Sequence, residues 1–234
     1  MKIKSILFPA VYLLTSVCTF AQGGTSSEVR QLADFNSISA SFAVKVVLEP
    51  SAGKPSAKVV AEGIDLNKVL TEVSGNELKV SLQNLSKSKS CNCKATVFVS
   101  YTSLKRIEAS LATTVSGTAI KSSALEISAS DASKIVLTGV ETDVLTLSAS
   151  NAAKLDITGK SEKTTIEADN ASKVEGKNLL SASATVSASN ASRVELAAEK
   201  ELTVKATNAA HVRYKGNPAK IISNANNDSS VKKL

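Results

Sequence analysis

One five-residue phrase recurs through the C-terminal half of the chain, and it constrains the fold more than any other feature. The clearest copies begin with Asn or Asp, continue with two small residues and a basic residue, and end with an aliphatic residue. Copies start at residues 111, 131, 151, 170, 190, 208 and 227, of which the first and last are degenerate. An Ala precedes each copy by two residues, and successive members of this Ala series are 18 to 20 positions apart. Spacing this regular indicates a repeat architecture.

Apolar and polar residues alternate on both sides of each phrase. Leu145 and Leu147 precede one copy, and Leu155 and Ile157 follow it at the same period of two. This period predicts half-buried strands, and no helical spacing is sustained over ten residues. A two-strand unit could form a meander of hairpins or a solenoid. Identical residue types at each register favour parallel stacking, so we predict an all-β fold.

The predicted architecture is a right-handed parallel β-helix-like solenoid over residues 107–234. It would have about seven coils of 18–20 residues each. The handedness is expected from strand twist and from the sterics of crossover connections. Parallel strands about 4.8 Å apart would stack the same position of every phrase into one column.

The first position of the phrase predicts a ladder of side chains along the solenoid axis. Asn tolerates the left-handed conformation of tight turns, and stacked amides hydrogen-bond along the axis of cross-β assemblies. We favour this structural ladder over the alternative, which is a row of ligand-binding amides. Its members are Asp131, Asn151, Asn170, Asn190, Asn208 and Asn227.

The fourth position of the phrase predicts a column of basic side chains. Like charges one strand apart repel each other, so these side chains should point into water. One interpretation is a solubilising edge that prevents sideways aggregation. The other, which we favour less, is a cationic strip that binds a polyanion. The candidate ligand-binding residues are Lys134, Lys154, Lys173, Arg193 and His211.

Residues 22–106 lack the phrase but also indicate β structure. Runs at 35–41, 44–48, 57–61 and 95–101 predict strands, and residues 71–82 predict a hairpin. Solenoids need atypical units over their open ends. We therefore expect this N-terminal β region to cap the solenoid that begins at residue 107.

Cys91 and Cys93 would place both thiols on one face of a strand. A disulfide between them would be strained, although an oxidising compartment favours it. Unpaired thiols and a metal or redox site are the alternatives. We predict no metal site, because the chain has three Cys and a single His, His211, to supply nitrogen and sulfur ligands.

Residues 1–21 predict a signal peptide. Lys2 and Lys4 precede an apolar stretch, and small residues at Thr19 and Ala21 suit cleavage before Gln22. Lipidation of Cys18 is a less favoured alternative. The chain carries +7 at pH 7; loss of two Lys with the signal peptide would leave 26 basic and 21 acidic residues, a charge of +5. We expect an exported protein without a transmembrane anchor, located in the periplasm, at the cell surface or outside the cell.

The chain resembles the head GIN domain family of auto-transporter adhesins. The resemblance rests on residues 28–40, on the hairpin at 71–80 and on the repeated Ala-Ser-Asn-Ala-Ser phrases, and it extends over about residues 28–220. Members commonly have Gly-Ala-Ser-Asp where this chain has Ser-Asn-Ala-Ser. The resemblance implies a β-helix-like fold in an exported protein of the bacterial surface or periplasm, and it implies no catalytic residues.

Two classes of function compete on these grounds. We favour a non-enzymatic binding or adhesion scaffold of the cell envelope over a polysaccharide-active β-helix enzyme, a hydrolase or lyase. Such enzymes need clustered carboxylates and long loops, whereas the coils here are uniform in length. We expect no cofactor and no nucleic-acid partner. A polyanionic glycan or another envelope component is the expected partner, with self-association through the solenoid end as a further one.

Overall fold

Seventeen strands join through hydrogen bonds into one sheet in this computed structural model, which describes residues 24–83 and 93–234. A 3-10 helix at Leu66–Lys68 lies between β4 and β5. The strands are β1 Thr25–Gln31, β2 Ser37–Ser41, β3 Lys45–Pro50, β4 Ser56–Glu62, β5 Val69–Ser74, β6 Glu77–Leu82, β7 Lys94–Tyr101, β8 Arg106–Ala109, β9 Thr114–Thr118, β10 Lys121–Ala129, β11 Lys134–Ala149, β12 Lys154–Ala168, β13 Lys173–Ala188, β14 Arg193–Ala206, β15 His211–Lys215, β16 Lys220–Ala225 and β17 Ser230–Lys233.

Successive coils of the repeat region pair in parallel, with equivalent positions opposite one another. In β10, β11 and β12, Leu147 lies between Ile127 and Ile166. Ala149 lies in the same way between Ala129 and Ala168. The predicted parallel β-solenoid is therefore confirmed, with about six turns where the repeat count predicted about seven.

Each repeat turns at the phrase through two consecutive residues with positive φ. Asn151 and Ala152 have φ values of 51° and 61°, and the N–H of Ala153 donates to the C=O of Ser150 across 3.1 Å. These are the marks of a type I′ turn, whose twist matches that of the flanking strands. The N–H of Ala152 also donates to the C=O of Asn170 in the next coil, at 2.9 Å. The parallel hydrogen bonding thus continues through the corner.

The opposite bend of each coil is irregular, and it accounts for the variation in repeat length. The strand register shifts between Leu137 and Val140 and again between Asp156 and Gly159. Gly159 has a φ of 138°, and a Cβ there would lie 2.0 Å from the carbonyl oxygen of Val140. Only glycine fits this position. The phrase corner therefore keeps one geometry while the second bend absorbs the difference between 18 and 20 residues.

The solenoid geometry begins earlier than the repeated phrase. Strand β2 pairs in parallel with β8, placing Ala40 opposite Ala109, and Phe42 and Ala43 form a corner with φ values of 63° and 56°. The segment 40–46 reads Ala-Ser-Phe-Ala-Val-Lys-Val, so the register survives although Asn is replaced. This coil is not visible as a repeat in the sequence, because Phe and Val stand at its diagnostic positions and β4 to β7 separate it from the next coil.

The N-terminal end of the stack combines parallel and antiparallel strands. Strands β6 and β7 pair in parallel with β2 and β3. Beyond them, β5 pairs antiparallel with β6, β4 with β7, and β1 with β4. The predicted hairpin corresponds to β5 and β6, whose last pair is Ser74 with Glu77. Because solenoid ends expose unpaired strand edges, antiparallel strands at this end cover the first parallel rungs.

Arg30 connects the outermost strand to the rest of this N-terminal end. Its guanidinium donates to the carbonyl oxygens of Val69 and Leu66, at 2.5 and 2.9 Å, and to Oγ1 of Thr71 at 2.9 Å. It also forms an ion pair with Glu28. One planar group with fixed donor directions therefore holds β1, the 3-10 helix and β5 together.

The interior of the repeat region is narrow and aliphatic. The Ala residues that precede the corners are buried from Ala109 to Ala206, none more than 3% exposed. The buried aromatic side chains of the described residues are Phe35 and Tyr101, and both lie near the N-terminal end. A small side chain is needed beside each corner because the two faces of the coil meet there. Within the described residues, no helix is long and apolar enough to cross a membrane.

Replacing Leu147 by Asp should destabilise the solenoid severely. Leu147 is fully buried between two Ile residues, and a carboxylate there would lack any polar partner, at a cost of about 3 kcal/mol or more. Thr185→Asp is the matched control, since Thr185 is exposed between Thr165 and Thr203. Urea unfolding of both variants measures the effect. Equal midpoints would contradict the assigned inward and outward faces.

Replacing Ala171 by Gly should stabilise the protein by about 0.5–1 kcal/mol. Ala171 has a φ of 59°, and an L-residue in that region costs about 1–2 kcal/mol, part of which is offset by the greater entropy of unfolded glycine. Ala188→Gly should have the opposite sign, because Ala188 is buried at the end of β13. Thermal unfolding of the two variants gives both signs, and destabilisation at both positions would contradict the corner assignment.

Candidate functional site

The corner side chains form a hydrogen-bonded row along the solenoid. Each amide nitrogen donates to the side-chain oxygen of the preceding coil. The donor–acceptor distances are 2.9 Å for Asn151 to Asp131, 3.1 Å for Asn170 to Asn151, 3.3 Å for Asn190 to Asn170, 3.0 Å for Asn208 to Asn190 and 3.2 Å for Asn227 to Asn208. All six candidate ladder residues are therefore brought together in one row.

The row has a direction, and its first member suits that direction. Asp131 lies at the N-terminal end, where its carboxylate accepts from Asn151. It needs no amide to donate further, because the next corner residue on that side is Leu111, which has no side-chain oxygen to accept. An interior member such as Asn170 both donates and accepts. Because the amides satisfy one another, they leave fewer polar atoms for a ligand than separate amides would.

Asp169 reinforces the row from the neighbouring position. Its Oδ1 accepts from the hydroxyl of Ser189 at 2.8 Å and from Nδ2 of Asn190 at 2.7 Å. The hydroxyl of Ser189 is the main reason that the pKa of Asp169 is lowered, followed by the amide of Asn190 and the backbone N–H of Asn170. A carboxylate that accepts several hydrogen bonds is held in its ionised form.

The predicted basic column lies in register on the outward side of the strands that follow the corner. Lys134, Lys154, Lys173, Arg193 and His211 are successive partners along β11 to β15. A second outward row lies two residues further along each strand. Its members are Val136, Asp156, Glu175, Glu195, Arg213 and Lys232. We call these two rows the charged face.

One glutamate offsets part of the positive charge in the middle of the charged face. The carboxylate of Glu175 lies 2.6 Å from Nζ of Lys154 and 2.5 Å from Nζ of Lys173. Hydrogen bonds from these two ammonium groups, first that of Lys154, lower the pKa of Glu175. Stacked lysines are tolerated here because a carboxylate lies between them. Two of the five predicted basic residues, Lys154 and Lys173, are therefore already paired with a carboxylate of the protein itself.

The C-terminal end of the charged face is concave and predominantly cationic. A cleft of about 350 Å³ opens among side chains of β13 to β17. Arg213 lies 3.1 Å from Glu195, and Nδ1 of His211 lies 2.9 Å from the hydroxyl of Ser230. We call this the cationic cleft. Its charged and polar lining comprises Lys173, Arg193, Glu195, His211, Arg213, Ser230 and Lys232.

Two of the cleft's cations were absent from the predicted set. Arg213 and Lys232 belong to the second outward row, where the preceding coils carry Asp156, Glu175 and Glu195. The sign of this row therefore changes from acidic to basic after β14. The period-two spacing within each strand could have revealed these residues, because positions two apart share a face.

A second groove of about 680 Å³ lies along the opposite bends of the coils. It has mixed charge: Glu141 lies 3.1 Å from Lys121 and 3.7 Å from Lys160, and Asp143 and Glu162 also line it. The hydrogen bond from Lys121 is the main cause that lowers the pKa of Glu141. With Glu199, four carboxylates and two lysines line this groove, so it is net acidic and unsuited to an anionic partner.

No group of three His, Cys, Asp or Glu side chains within residues 24–83 and 93–234 is placed to hold a metal ion. Cys93 is disulfide-bonded, whereas Cys91 and Cys18 lie outside the described residues. The pairing of Cys91 with Cys93 and the signal peptide at residues 1–21 stay predictions.

Replacing Asn170 by Ala should cost about 0.5–1.5 kcal/mol more than replacing Asn227 by Ala. Asn170 donates one ladder bond and accepts another, whereas Asn227 only donates, and each lost bond costs about 0.5–1.5 kcal/mol. Both changes place Ala in a left-handed position, so that penalty cancels between the two variants. Chemical denaturation provides the comparison, and equal losses would mean that the amide ladder adds no stability.

Replacing Glu175 by Gln should remove a pH-dependent part of the stability. Because the folded-state pKa is lowered, the charged group stabilises the fold above its unfolded pKa of about 4.3. That contribution disappears as the pH falls through the folded pKa. The variant should therefore be less stable than the parent at pH 7, and the two should converge below about pH 4.

The pH series needs a control for the loss of one surface charge. Glu199→Gln serves this purpose, because Glu199 is exposed and forms no ion pair with a described residue. Denaturant unfolding between pH 3 and pH 7 is measured for the parent and both variants. A difference for Glu175→Gln that persists unchanged at acid pH would contradict the assignment.

Three solved structures share this architecture. A protein described as a putative adhesin from Bacteroides fragilis has a TM-score of 0.83 at 14% identity, covering 90% of this chain and 97% of its own. A putative lipid binding protein from Parabacteroides distasonis has a TM-score of 0.69 at 15% identity, covering 91% and 97%. A putative adhesin from Parabacteroides merdae has a TM-score of 0.68 at 15% identity, covering 91% and 97%. At such identities the similarity shows the fold alone.

A family model identifies the relationship at the level of sequence. No curated protein matches the chain. The model described as "Putative auto-transporter adhesin, head GIN domain" matches residues 34–218. That range extends from the residues before β2 to those after β15, so it includes the charged face up to Arg213 and almost the whole amide ladder. The resemblance noted in the sequence is confirmed, and the chain belongs to the head GIN domain family of auto-transporter adhesins.

Proposed function

We propose that this protein is an exported, non-enzymatic adhesion scaffold of the bacterial cell envelope. The observation that carries the proposal is the charged face, where outward side chains repeat in register along β11 to β17. Such a surface offers a partner many similar contacts at the strand spacing of about 4.8 Å. Contacts that are weak singly become strong when one partner makes several of them at once. The adhesin names in the family and among the structural neighbours point the same way.

The arrangement of the carboxyl groups argues against a polysaccharide-active enzyme. Glycosidases need a carboxylic acid whose pKa is raised so that it can protonate the leaving group. Among the described residues, the carboxyl groups whose pKa is clearly displaced are Glu141, Asp169 and Glu175, and all three are lowered. Each is engaged with Lys, Ser or Asn side chains. These groups are stabilised as carboxylates, which suits surface electrostatics and opposes general-acid catalysis.

The proposal is tested by measuring binding and turnover on the same material. Protein lacking residues 1–21 is incubated with isolated envelope preparations and with a panel of envelope and extracellular polysaccharides. We expect sedimentation with the envelope and no release of reducing ends or unsaturated sugars. His211→Ala and Glu195→Gln are included because these residues line the cleft. Turnover that either variant abolishes would overturn the scaffold proposal, and absence of binding to every envelope preparation would do so as well.

A further inference from the structure

We propose that the cationic cleft binds an acidic polysaccharide whose chain lies along the solenoid axis, with its anionic groups on Arg193, Arg213 and Lys232. This inference rests on the proposed adhesion function and assigns it a site and a class of partner. It narrows the predicted cationic strip from five stacked residues to one end of the charged face.

The distribution of ion pairs selects that end. Arg193 and Lys232 form no ion pair with any residue in the described part of the chain, and both are exposed. Arg213 is paired with Glu195, but a guanidinium has five donors and can bind a second anion. By contrast, Lys154 and Lys173 share Glu175. Lys134 is likewise exposed and forms no ion pair with a described residue, but it is a single cation on β11. Arg193, Arg213 and Lys232 instead cluster on β14, β15 and β17 around one cleft.

The spacing of these charges favours an extended polymer over a small anion. Arg193 and His211 are register partners on adjacent strands, as are Arg213 and Lys232. Parallel strands hold such partners about 4.8 Å apart along the axis, close to the rise of one sugar unit in an extended glycan. Outward side chains of a parallel sheet point the same way and do not converge on one point. Arg193, Arg213 and Lys232 lie on three successive coils, so anionic groups on successive sugars can reach all three, whereas a single phosphate or sulfate contacts only part of the set.

The side chains lining the cleft favour a glycan over a nucleic acid. Single-stranded nucleic acids are bound by aromatic platforms on which bases stack, and no Phe, Tyr or Trp lines the cationic cleft. Tyr214, on β15, is partly buried and packs against the core. Arginine binds sulfate and carboxylate groups through two parallel hydrogen bonds. The hydroxyl of Ser230 and the imidazole of His211 add polar contacts for sugar hydroxyls.

The test is a titration of the protein lacking residues 1–21 with defined probes, matched in ionic strength across probes and repeated at a higher salt concentration. The charged probes are a heparin-derived octasaccharide, which carries sulfate esters, and an oligogalacturonate of the same length, which carries carboxylates. Neutral dextran, sodium sulfate and single-stranded DNA complete the set. We expect at least one charged glycan to bind, with an affinity that falls as salt is added. Dextran should not bind, and sodium sulfate should bind more weakly than the octasaccharide. The better of the two charged glycans then identifies the anionic group.

Two double variants carry equal losses of charge on different faces. Arg193→Gln with Lys232→Gln removes the unpaired cations of the cleft, and should weaken glycan binding by about tenfold or more, because charge-assisted hydrogen bonds are lost. Lys163→Gln with Lys205→Gln is the matched control: both residues are exposed, lie on the strand segments that precede the corner, and form no ion pair with a described residue. It should change the affinity less than about twofold. Lys134→Gln, at the other end of the charged face, should behave like the control.

Several results would overturn the assignment. Equal losses in the two double variants would indicate attraction by net charge alone, and an equal loss in Lys134→Gln would indicate an extended strip. Tighter binding of DNA than of either glycan would replace the glycan with a nucleic acid. Failure of every charged probe while the envelope preparations still bind would overturn this inference and leave the adhesion function standing. Loss of both would overturn the two proposals together.

Discussion

The type I′ corner is the constraint on which the rest of the solenoid depends. Two consecutive residues with positive φ reverse the chain within four residues, and the corner N–H still donates to the next coil. The corner hydrogen bonds to the next coil form only if every coil turns at the same position. A slip of one residue would also turn the inward side chains outward. The Asn column, the buried Ala before it and the small residue after it follow from that one requirement.

The corner also creates a strain that the side chains partly relieve. Asn accepts a left-handed conformation more readily than most residues do, whereas the Ala that follows it accepts it poorly, at φ values from 56° to 61° in the corners from Ala43 to Ala209. The amide ladder lies directly over this strained segment and joins one corner to the next. Phe42 and Leu111 occupy the same conformation without an amide, and they stand next to one another at the N-terminal end of the row.

Stacking identical positions also fixes how charge is distributed. A basic residue at one position of each repeat places like charges about 4.8 Å apart over five coils. Glu175 offsets this repulsion for Lys154 and Lys173, and Glu195 does so in part for Arg213. On β17 the second row carries Lys232, and no acid is opposite it. The cationic cleft thus results from a change of sign in one row of an otherwise regular face.

The sequence alone determined the features that repeat, because a period is visible wherever the same interaction is needed again. The parallel solenoid, the Asn column from Asn151 to Asn227, the basic column and the hairpin of β5 and β6 were all predicted from spacing and alternation. Family membership was also recognisable, since it rests on the same phrases. Only the tertiary structure revealed the coil at Phe42. Its residues differ from the repeated phrase, but its backbone has the same corner conformation and the same parallel register. It also decided which cations are paired with acids: Glu175 reaches lysines on two coils, whereas Lys232 lies opposite Arg213 and not opposite an acid. Such contacts join residues about twenty positions apart through side-chain reach, which the repeat period does not specify.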